Sequence, residues 1–365
     1  MTRFLLTAFF GLSANLIFAQ KAIPLDTLNW NITGSYITEN YKGKDAIYIK
    51  QGSLTLKNST FLNGTIEFDI YLKEIQGFPG VYFRLTENGD GEQFYIRPHL
   101  PGKPDANQAA PLVKGISPWQ LFFGPSYSFP YEYKYDDWTH VKIVVNEDKA
   151  QVFLDHSETP NLSWILTHGQ VEGGVVLRGG NNVGLHIADV KIDKQNYQLK
   201  DFKPIDREPI PGLVTEWEIS DKFEESRLED FGKLKSLISE RKWQGSVRLD
   251  EGAAANISKV QMLRNGKPGN TVFAKLEITS DSVTTKLFEF GYSDRAVVIL
   301  NGKPLYWGNN RWRSRDYRYL GTIGLFDAVY LNLKRGKNTL LIAVSEDFGG
   351  WLVTGRIKDK RSLKF

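Results

Sequence analysis

The chain has no cysteine, which rules out a disulfide framework, a thiolate metal centre and a cysteine nucleophile. Without such staples a buried core must hold the fold, and 365 residues suffice for roughly two or three domains of ordinary size. Histidine is scarce as well: the five, at positions 99, 140, 156, 168 and 186, show no zinc-ligand spacing. Past residue 20 no apolar run reaches the length of a membrane-spanning helix. The formal net charge is only +4, too small a surplus for the electrostatic footprint of a nucleic-acid-binding protein. Also missing are the Gly-x-Ser-x-Gly elbow, the P-loop and the dinucleotide fingerprint, so serine-hydrolase, nucleotide and nicotinamide chemistry have no motif to stand on.

What the chain does have begins with an export pattern. Arg3 supplies a positive start, residues 4–18 form an apolar stretch, and Ile17-Phe18-Ala19 places a small residue at a cleavage position. This predicts a cleavable leader over residues 1–19 and a secreted or periplasmic protein. Charge is unevenly divided: residues 21–200 carry 17 Lys and Arg against 20 Asp and Glu, and residues 201–365 carry 28 against 22. A basic second half suits an acidic partner, although a modest surplus also describes an ordinary solvated surface. Aromatic residues make up 13% of the chain, with 9 Trp, 16 Tyr and 22 Phe. They favour strands and sandwich cores, and where exposed they offer flat apolar faces with a polar handle.

Strand patterns dominate the rest. Residues 46–49, 53–56, 65–72, 81–85, 93–97, 139–145, 151–154, 175–177 and 184–192 alternate apolar and polar positions, the period-two signature of half-buried strands. Asn88-Gly89-Asp90-Gly91 and Gly179-Gly180-Asn181-Asn182 punctuate them as turns. Pro204, Pro209 and Pro211, set among charges, break the rhythm and read as a linker over 198–213. Beyond it, one helical pattern near residues 227–243 precedes strands at 272–278, 284–290, 296–300, 328–333 and 339–344. The expected fold class is therefore all-β, with two tandem β-sandwich (jelly-roll) domains over residues 20–197 and 214–365.

Two stretches carry family resemblances. Asn63-Gly64-Thr65-Ile66-Glu67-Phe68-Asp69-Ile70, Gly80-Val81-Tyr82-Phe83-Arg84-Leu85, Trp138-Thr139-His140-Val141-Lys142-Ile143, Ala150-Gln151-Val152-Phe153-Leu154-Asp155 and Ala188-Asp189-Val190-Lys191-Ile192 resemble the concanavalin A-like (LamG-type) jelly roll. That family spans binding modules and glycan-cleaving enzymes, so the resemblance implies fold more firmly than function. Asp294-Arg295-Ala296-Val297-Val298-Ile299-Leu300-Asn301-Gly302-Lys303 and Leu333-Lys334-Arg335-Gly336-Lys337-Asn338-Thr339-Leu340 resemble the galactose-binding-like jelly roll appended to glycoside hydrolases and esterases. Asn301-Gly302 has a local reading too, as a tight hairpin turn.

Chemistry has several candidate seats. Glu67, Asp69 and Tyr71 share one face of a strand. Glucanases of the resembled fold carry Glu-x-Asp-x-Glu there, and Tyr71 at the third position removes one of the paired carboxylates that retaining hydrolysis needs. Tyr82 and Arg84, then Gln93, Tyr95, Arg97 and His99, then His140 and Lys142 also pair up by alternation. If these sets line one concave sheet they form a groove with donors, a cation and aromatic faces, where Arg gives bidentate recognition of a carboxylate or sulfate. Polysaccharide lyases of the same fold use such an Arg with a Tyr or His pair, which would cast Tyr95, Arg97 and His99 as catalytic residues. Residues 107–135 form a long aromatic loop, with Trp119 among eight rings, expected to be a binding lip or a cover for a core edge.

In the second half, Arg311, Arg313, Arg315 and Arg318 interleave with Trp307, Trp312, Tyr317 and Tyr319. That tract either grips an anionic polysaccharide or pairs internally with Asp294, Asp316 or Asp327. The acidic loop Glu87-Asn88-Gly89-Asp90-Gly91-Glu92 could hold Ca²⁺, but a plain turn explains it as well, and no cofactor is otherwise implied. The reading that gathers these signals is a carbohydrate-binding protein, with a lyase or hydrolase, or a structural adhesion protein, as rivals. Its expected partner is a polysaccharide or oligosaccharide, acidic ones included, and not nucleic acid.

Overall fold

The computed structural model describes residues 21–180, 183–263, 270–315 and 321–365; the expected leader lies outside them. Antiparallel strands build two sandwiches. In the first, a six-stranded front sheet runs in the spatial order Trp30–Ile32, Ser53–Leu56, Gly174–Arg178, Gly80–Leu85, Gly91–Ile96, Asn107–Leu112. A seven-stranded back sheet runs Leu162–Ile165, Lys149–Leu154, Asp137–Asn146, Gly64–Leu72, Leu185–Asp193, Lys44–Lys50, Ser35–Tyr41. Alternation explains the core between them: Val81, Phe83, Phe94, Ile96 and Leu177 point in from the front, and Ile66, Phe68, Ile70, Val141 and Ile143 from the back.

The second sandwich is a continuous path of ten strands folded into two layers, with an eleventh, Leu363–Lys364, paired beside Thr271–Ser280. Trp217, Val272, Ala274, Val298 and Ile342 face Phe288, Phe290, Leu331 and Val353 across its core. The helical pattern expected near residues 227–243 resolves into short turns at Glu225–Leu228, Phe231–Lys233 and Leu234–Ser239. These lay Leu228, Leu234 and Leu237 over Phe273, Val297 and Leu341 on the outside of one layer.

The joint between the sandwiches departs from the sequence reading. The aromatic segment expected as a lip begins with a strand, Asn107–Leu112, and the rest folds down. Leu121, Phe122, Tyr127 and Tyr133 enter the first core, and Phe123, Phe129, Tyr131 and Tyr135 pack against it. Ala253, Ala254, Ile323 and Leu352 of the second sandwich belong to that same cluster. Burying these rings against apolar neighbours removes more area from water than a flap could, at about 25 cal/mol per Å². Gln120, fully buried, ties the halves: its carbonyl accepts from Ile323 N at 2.9 Å, its Oε1 accepts from Gly350 N at 2.7 Å, and its Nε2 donates to Ser293 Oγ at 3.2 Å. Nor does the proline-rich stretch hang free, since Arg207 donates to the Leu121 carbonyl at 2.5 Å and its guanidinium lies 4.8 Å from the Phe123 ring centre.

Candidate functional site

The front sheet's outer face brings together Tyr82, Gln93 and Tyr95 of the groove predicted from alternation. Tyr82 and Gln93 are register partners, Tyr95 lies opposite Gln108, and Val176 opposite Tyr82. Because Val81, Phe94 and Leu177 point into the core, the residues between them point out. Arg178, opposite Gly80, extends over the face with its guanidinium carbon 5.0 Å from the Tyr82 ring centre and 5.9 Å from that of Tyr95. Tyr82 and Arg178 are half-buried, and among the described residues no carboxylate pairs with Arg178. The sequence reading ended that strand at Leu177, one residue short, and so missed Arg178; the alternation of Val176 and Arg178 was the available signal.

Beside these two, on the neighbouring strands, lies a locked polar layer in which Gln93, Tyr95, Arg97 and Gln108 are all buried. Tyr95 donates its hydroxyl to Gln108 Oε1 at 2.6 Å, and Arg97 donates to the Tyr95 hydroxyl oxygen at 3.0 Å and to Gln108 Oε1. Arg97 also donates to the Asp105 carbonyl at 2.7 Å, while Gln108 Nε2 donates to the Trp119 carbonyl at 2.9 Å. Gln93 Nε2 donates to Ser117 Oγ at 2.5 Å. Burial pushes the Tyr95 phenol above its ordinary pKa, and burial together with the Arg97 charge pulls His99 below its own. A phenol with both hydrogen-bonding roles occupied must break this network before it can move a proton for a substrate, which weakens the lyase assignment of Tyr95, Arg97 and His99. His99 lies beyond the strand, which ends at Ile96, with its ring edge-on to Phe78 at 5.5 Å.

Three residues of the expected groove, Arg84, His140 and Lys142, go elsewhere. Arg84 is buried, not presented, because a bulge places the extra residue of the Gly80–Leu85 strand there: the register steps from Leu85 opposite Gly174 to Tyr82 opposite Val176. With φ at +52° its side chain turns inward and donates to Leu62 O at 2.8 Å, Glu147 O at 2.6 Å, Asn63 Oδ1 at 3.3 Å and Gly169 O. His140 sits on the back sheet, since alternation assigns a face but not a sheet. There it bonds Asp69 Oδ1 at 2.6 Å, approaches Glu67 Oε2 at 3.6 Å and stacks on His156 with ring centres 3.9 Å apart.

Lys44 joins Asp69 and lies 2.7 Å from Asp189, which a second bulge turns outward. Glu67 also lies 3.6 Å from Lys142. The two carboxylates are thus engaged in ion pairs, as a structural role requires. Burial pulls the His140 pKa down, but Asp69 and Glu67 outweigh it and raise it to about 9. Its imidazole is expected to titrate near pH 9 by NMR, and Asp69→Asn to bring the midpoint back toward the ordinary histidine value.

The arginine-aromatic tract divides similarly. Arg315 donates to Asp327, to the Tyr292 hydroxyl at 2.9 Å and to that of Tyr306 at 3.3 Å, so it holds the loop together. Arg311 lies 3.3 Å from Asp347. Arg313 instead stacks its guanidinium 4.1 Å from the centre of the exposed Trp312 ring and pairs with no carboxylate among the described residues. Asp316, Tyr317, Arg318 and Tyr319 lie outside those residues. In the acidic loop, Asn88 Oδ1 accepts from Asp90 N at 3.1 Å, while Asp90 Oδ1 accepts from Lys114 N at 2.8 Å, the bonding of a turn. Among the described residues no cluster of three or more His, Asp or Glu is placed to hold a metal.

No known protein family and no curated protein matches the chain. Solved structures similar to its fold include the carbohydrate-binding module CBM66 from Bacillus subtilis, with 13% identity over 45% of this chain and 95% of that one, at a TM-score of 0.35. Another is domain 4 of AbnA, a GH43 extracellular arabinanase from Geobacillus stearothermophilus, in complex with arabinotriose (10% identity, 46% and 85% covered, TM-score 0.30). A third is the exoplasmic/lumenal domain of VIP36 in its Ca²⁺/Man3GlcNAc-bound form (10% identity, 49% and 91% covered, TM-score 0.33).

Proposed function

We propose that this is an exported carbohydrate-binding protein that holds a polysaccharide on the front sheet of its first sandwich and serves a glycan-degrading system as an accessory. The observation that carries the reading is the pairing of the Tyr82 ring with the Arg178 guanidinium, 5.0 Å away and without a carboxylate partner among the described residues, beside a hydrogen-bonded layer. A sugar ring has C–H faces that pack on an aromatic plane, and hydroxyls or carboxylates that accept from a guanidinium in fixed geometry. A layer already ordered by Gln93, Tyr95, Arg97 and Gln108 loses little entropy when the ligand arrives. Export follows from the leader pattern of residues 1–19, and N-terminal sequencing of the mature protein would locate the cut.

The test is a panel of neutral, uronic and sulfated polysaccharides assayed together for retention and for product release. Retention without product is expected. Tyr82→Ala and Arg178→Ala should each weaken retention by about tenfold or more, the loss of roughly 1.4 kcal/mol of binding, with little change in melting temperature. Product that disappears in Arg97→Ala or His99→Ala would replace this reading with an enzymatic one. Neither retention nor product would leave a structural or adhesion role.

A further inference from the structure

We infer that the two sandwiches build one ligand cleft between them, with Trp312 and Arg313 of the second domain forming a wall beside Tyr82 and Arg178 of the first, and that this cleft takes an anionic glycan. The inference rests on the carbohydrate reading above and adds to it where the ligand runs and what charge it carries.

Contiguity comes from a chain of contacts. Tyr82 is the register partner of Gln93, whose amide bonds Ser117 at 2.5 Å. Two residues on, Trp119 is fixed through its carbonyl by Gln108, the residue beneath Arg97 and Tyr95. The Trp119 ring meets the second domain at Gly321, where a Cβ would fall 3.6 Å from the indole and 3.5 Å from the Trp312 nitrogen. Gly321 has φ at +77°, so the turn there calls for glycine, while the neighbouring Trp119 ring and Trp312 backbone stand at ordinary contact distance. The front face therefore continues through Trp119 directly into the loop that carries Trp312 and Arg313. Gln120 sets the spacing of this junction with its bonds to Ile323, Ser293 and Gly350, so the wall is positioned before any ligand binds.

The rim of the same junction is unusually apolar for a surface. Trp312 is 50% exposed and Phe348 66% exposed, Trp119 is half-buried, and the Phe348 carbonyl accepts from Gln120 Nε2 at 3.4 Å. Exposed rings gathered where two domains meet are the surface a planar-faced ligand would cover.

Charge selects the ligand class. Arg311 and Arg315 are neutralised by Asp347 and Asp327, while Arg178 and Arg313 have no acidic partner among the described residues, and each lies over an aromatic ring. A guanidinium held over a ring keeps its fork of donors for a carboxylate or sulfate. A uronate or sulfated oligosaccharide several units long would neutralise both cations, where a neutral one would only hydrogen-bond them.

The deciding experiment is calorimetric titration of the full chain with size-matched sulfated, uronic and neutral oligosaccharides. Wild type should bind an acidic series about tenfold more tightly than the neutral one, and less so as salt rises. Tyr82→Ala should weaken every series. Trp312→Ala should weaken the acidic series about tenfold. Arg313→Ala should do the same, flatten the salt dependence and leave neutral ligands as in wild type. If Tyr82→Ala loses binding while Trp312→Ala and Arg313→Ala do not, carbohydrate binding stands and the shared cleft falls. If only the Trp312 and Arg313 variants lose binding, the site belongs to the second domain and the shared cleft falls again. Equal affinity for neutral and acidic ligands would overturn the charge selection, and no binding by wild type would remove the carbohydrate reading itself.

Discussion

Replacing Arg84 with methionine is expected to destabilise the protein by about 3 kcal/mol or more, since a hydrogen bond from a charged group contributes roughly 1.5–3 kcal/mol and Arg84 makes several. The guanidinium is almost wholly inaccessible, at 1% exposure, and donates to the carbonyls of Leu62, Gly169 and Glu147 and to the Asn63 amide oxygen. Methionine fills much of the volume but takes this donor from the Leu62, Gly169 and Glu147 carbonyls, while the Asn63 amide oxygen keeps the Glu147 N–H at 2.8 Å. It also strips away the one nearby positive charge facing buried Glu92. Urea unfolding would read the loss as a fall in midpoint, with Tyr82→Ala on the same strand as a comparison that should barely move it. An Arg84→Met protein with the wild-type midpoint would show that the network holds no stability.

The second large effect is a loss of stability between about pH 4.5 and pH 7 that glutamine can repair. Burial raises the Glu92 carboxyl to a pKa of about 7, despite the backbone N–H groups of His168 and Thr167 and the charge of Arg84, which all oppose it. A carboxyl whose folded pKa exceeds its unfolded one favours the folded state fully below the unfolded value near 4.5, and that advantage disappears as pH rises through about 7. At about 1.4 kcal/mol per pH unit, the window amounts to roughly 3 kcal/mol.

Glu346 acts in the same direction. It is entirely buried, and desolvation with the neighbouring Asp294 carboxyl raises it well above the ordinary glutamate value. Glu92→Gln and Glu346→Gln should therefore melt near wild type at pH 4.5 and above it at pH 8, the gap opening as pH rises. Melting curves that run parallel across this range would remove both carboxyls as the cause.

Periodicity made the inner strands of the first sandwich legible. Ile66, Phe68 and Ile70, or Val141 and Ile143, alternate with neighbours such as Glu67, Asp69, His140 and Lys142 because one side of each strand meets the core. The edge strand Ser35–Tyr41 gave no such signal, since its residues 35–40 are exposed on both sides. Asn107–Leu112 was hidden for the opposite reason: Asn, Gln, Ala and Pro carry little strand preference, yet every one of its residues is buried.

For the site, alternation correctly put Tyr82, Gln93 and Tyr95 on one face. It could not know that one extra residue reverses the parity at Arg84, or that His140 shares a face with Asp69 on the other sheet. The aromatic segment after residue 112 was the least legible part. Its rings have the composition of a binding surface and of a core cover alike, and only the arrival of Ile323 and Leu352 decides for the core.

The joint has a consequence for modularity. A chain of two sandwiches separated by a proline-rich stretch invites treatment as two exchangeable cassettes, cut anywhere in 198–213. Here such a cut takes Ala253, Ala254, Ile323 and Leu352 out of the core cluster they share with the first sandwich and parts Gln120 from Ile323, Ser293 and Gly350. Neither half is a spare part. Any transplant of the second sandwich, by recombination in a genome or by an engineer, must carry with it the segment after residue 112 that the first sandwich supplies as its seat.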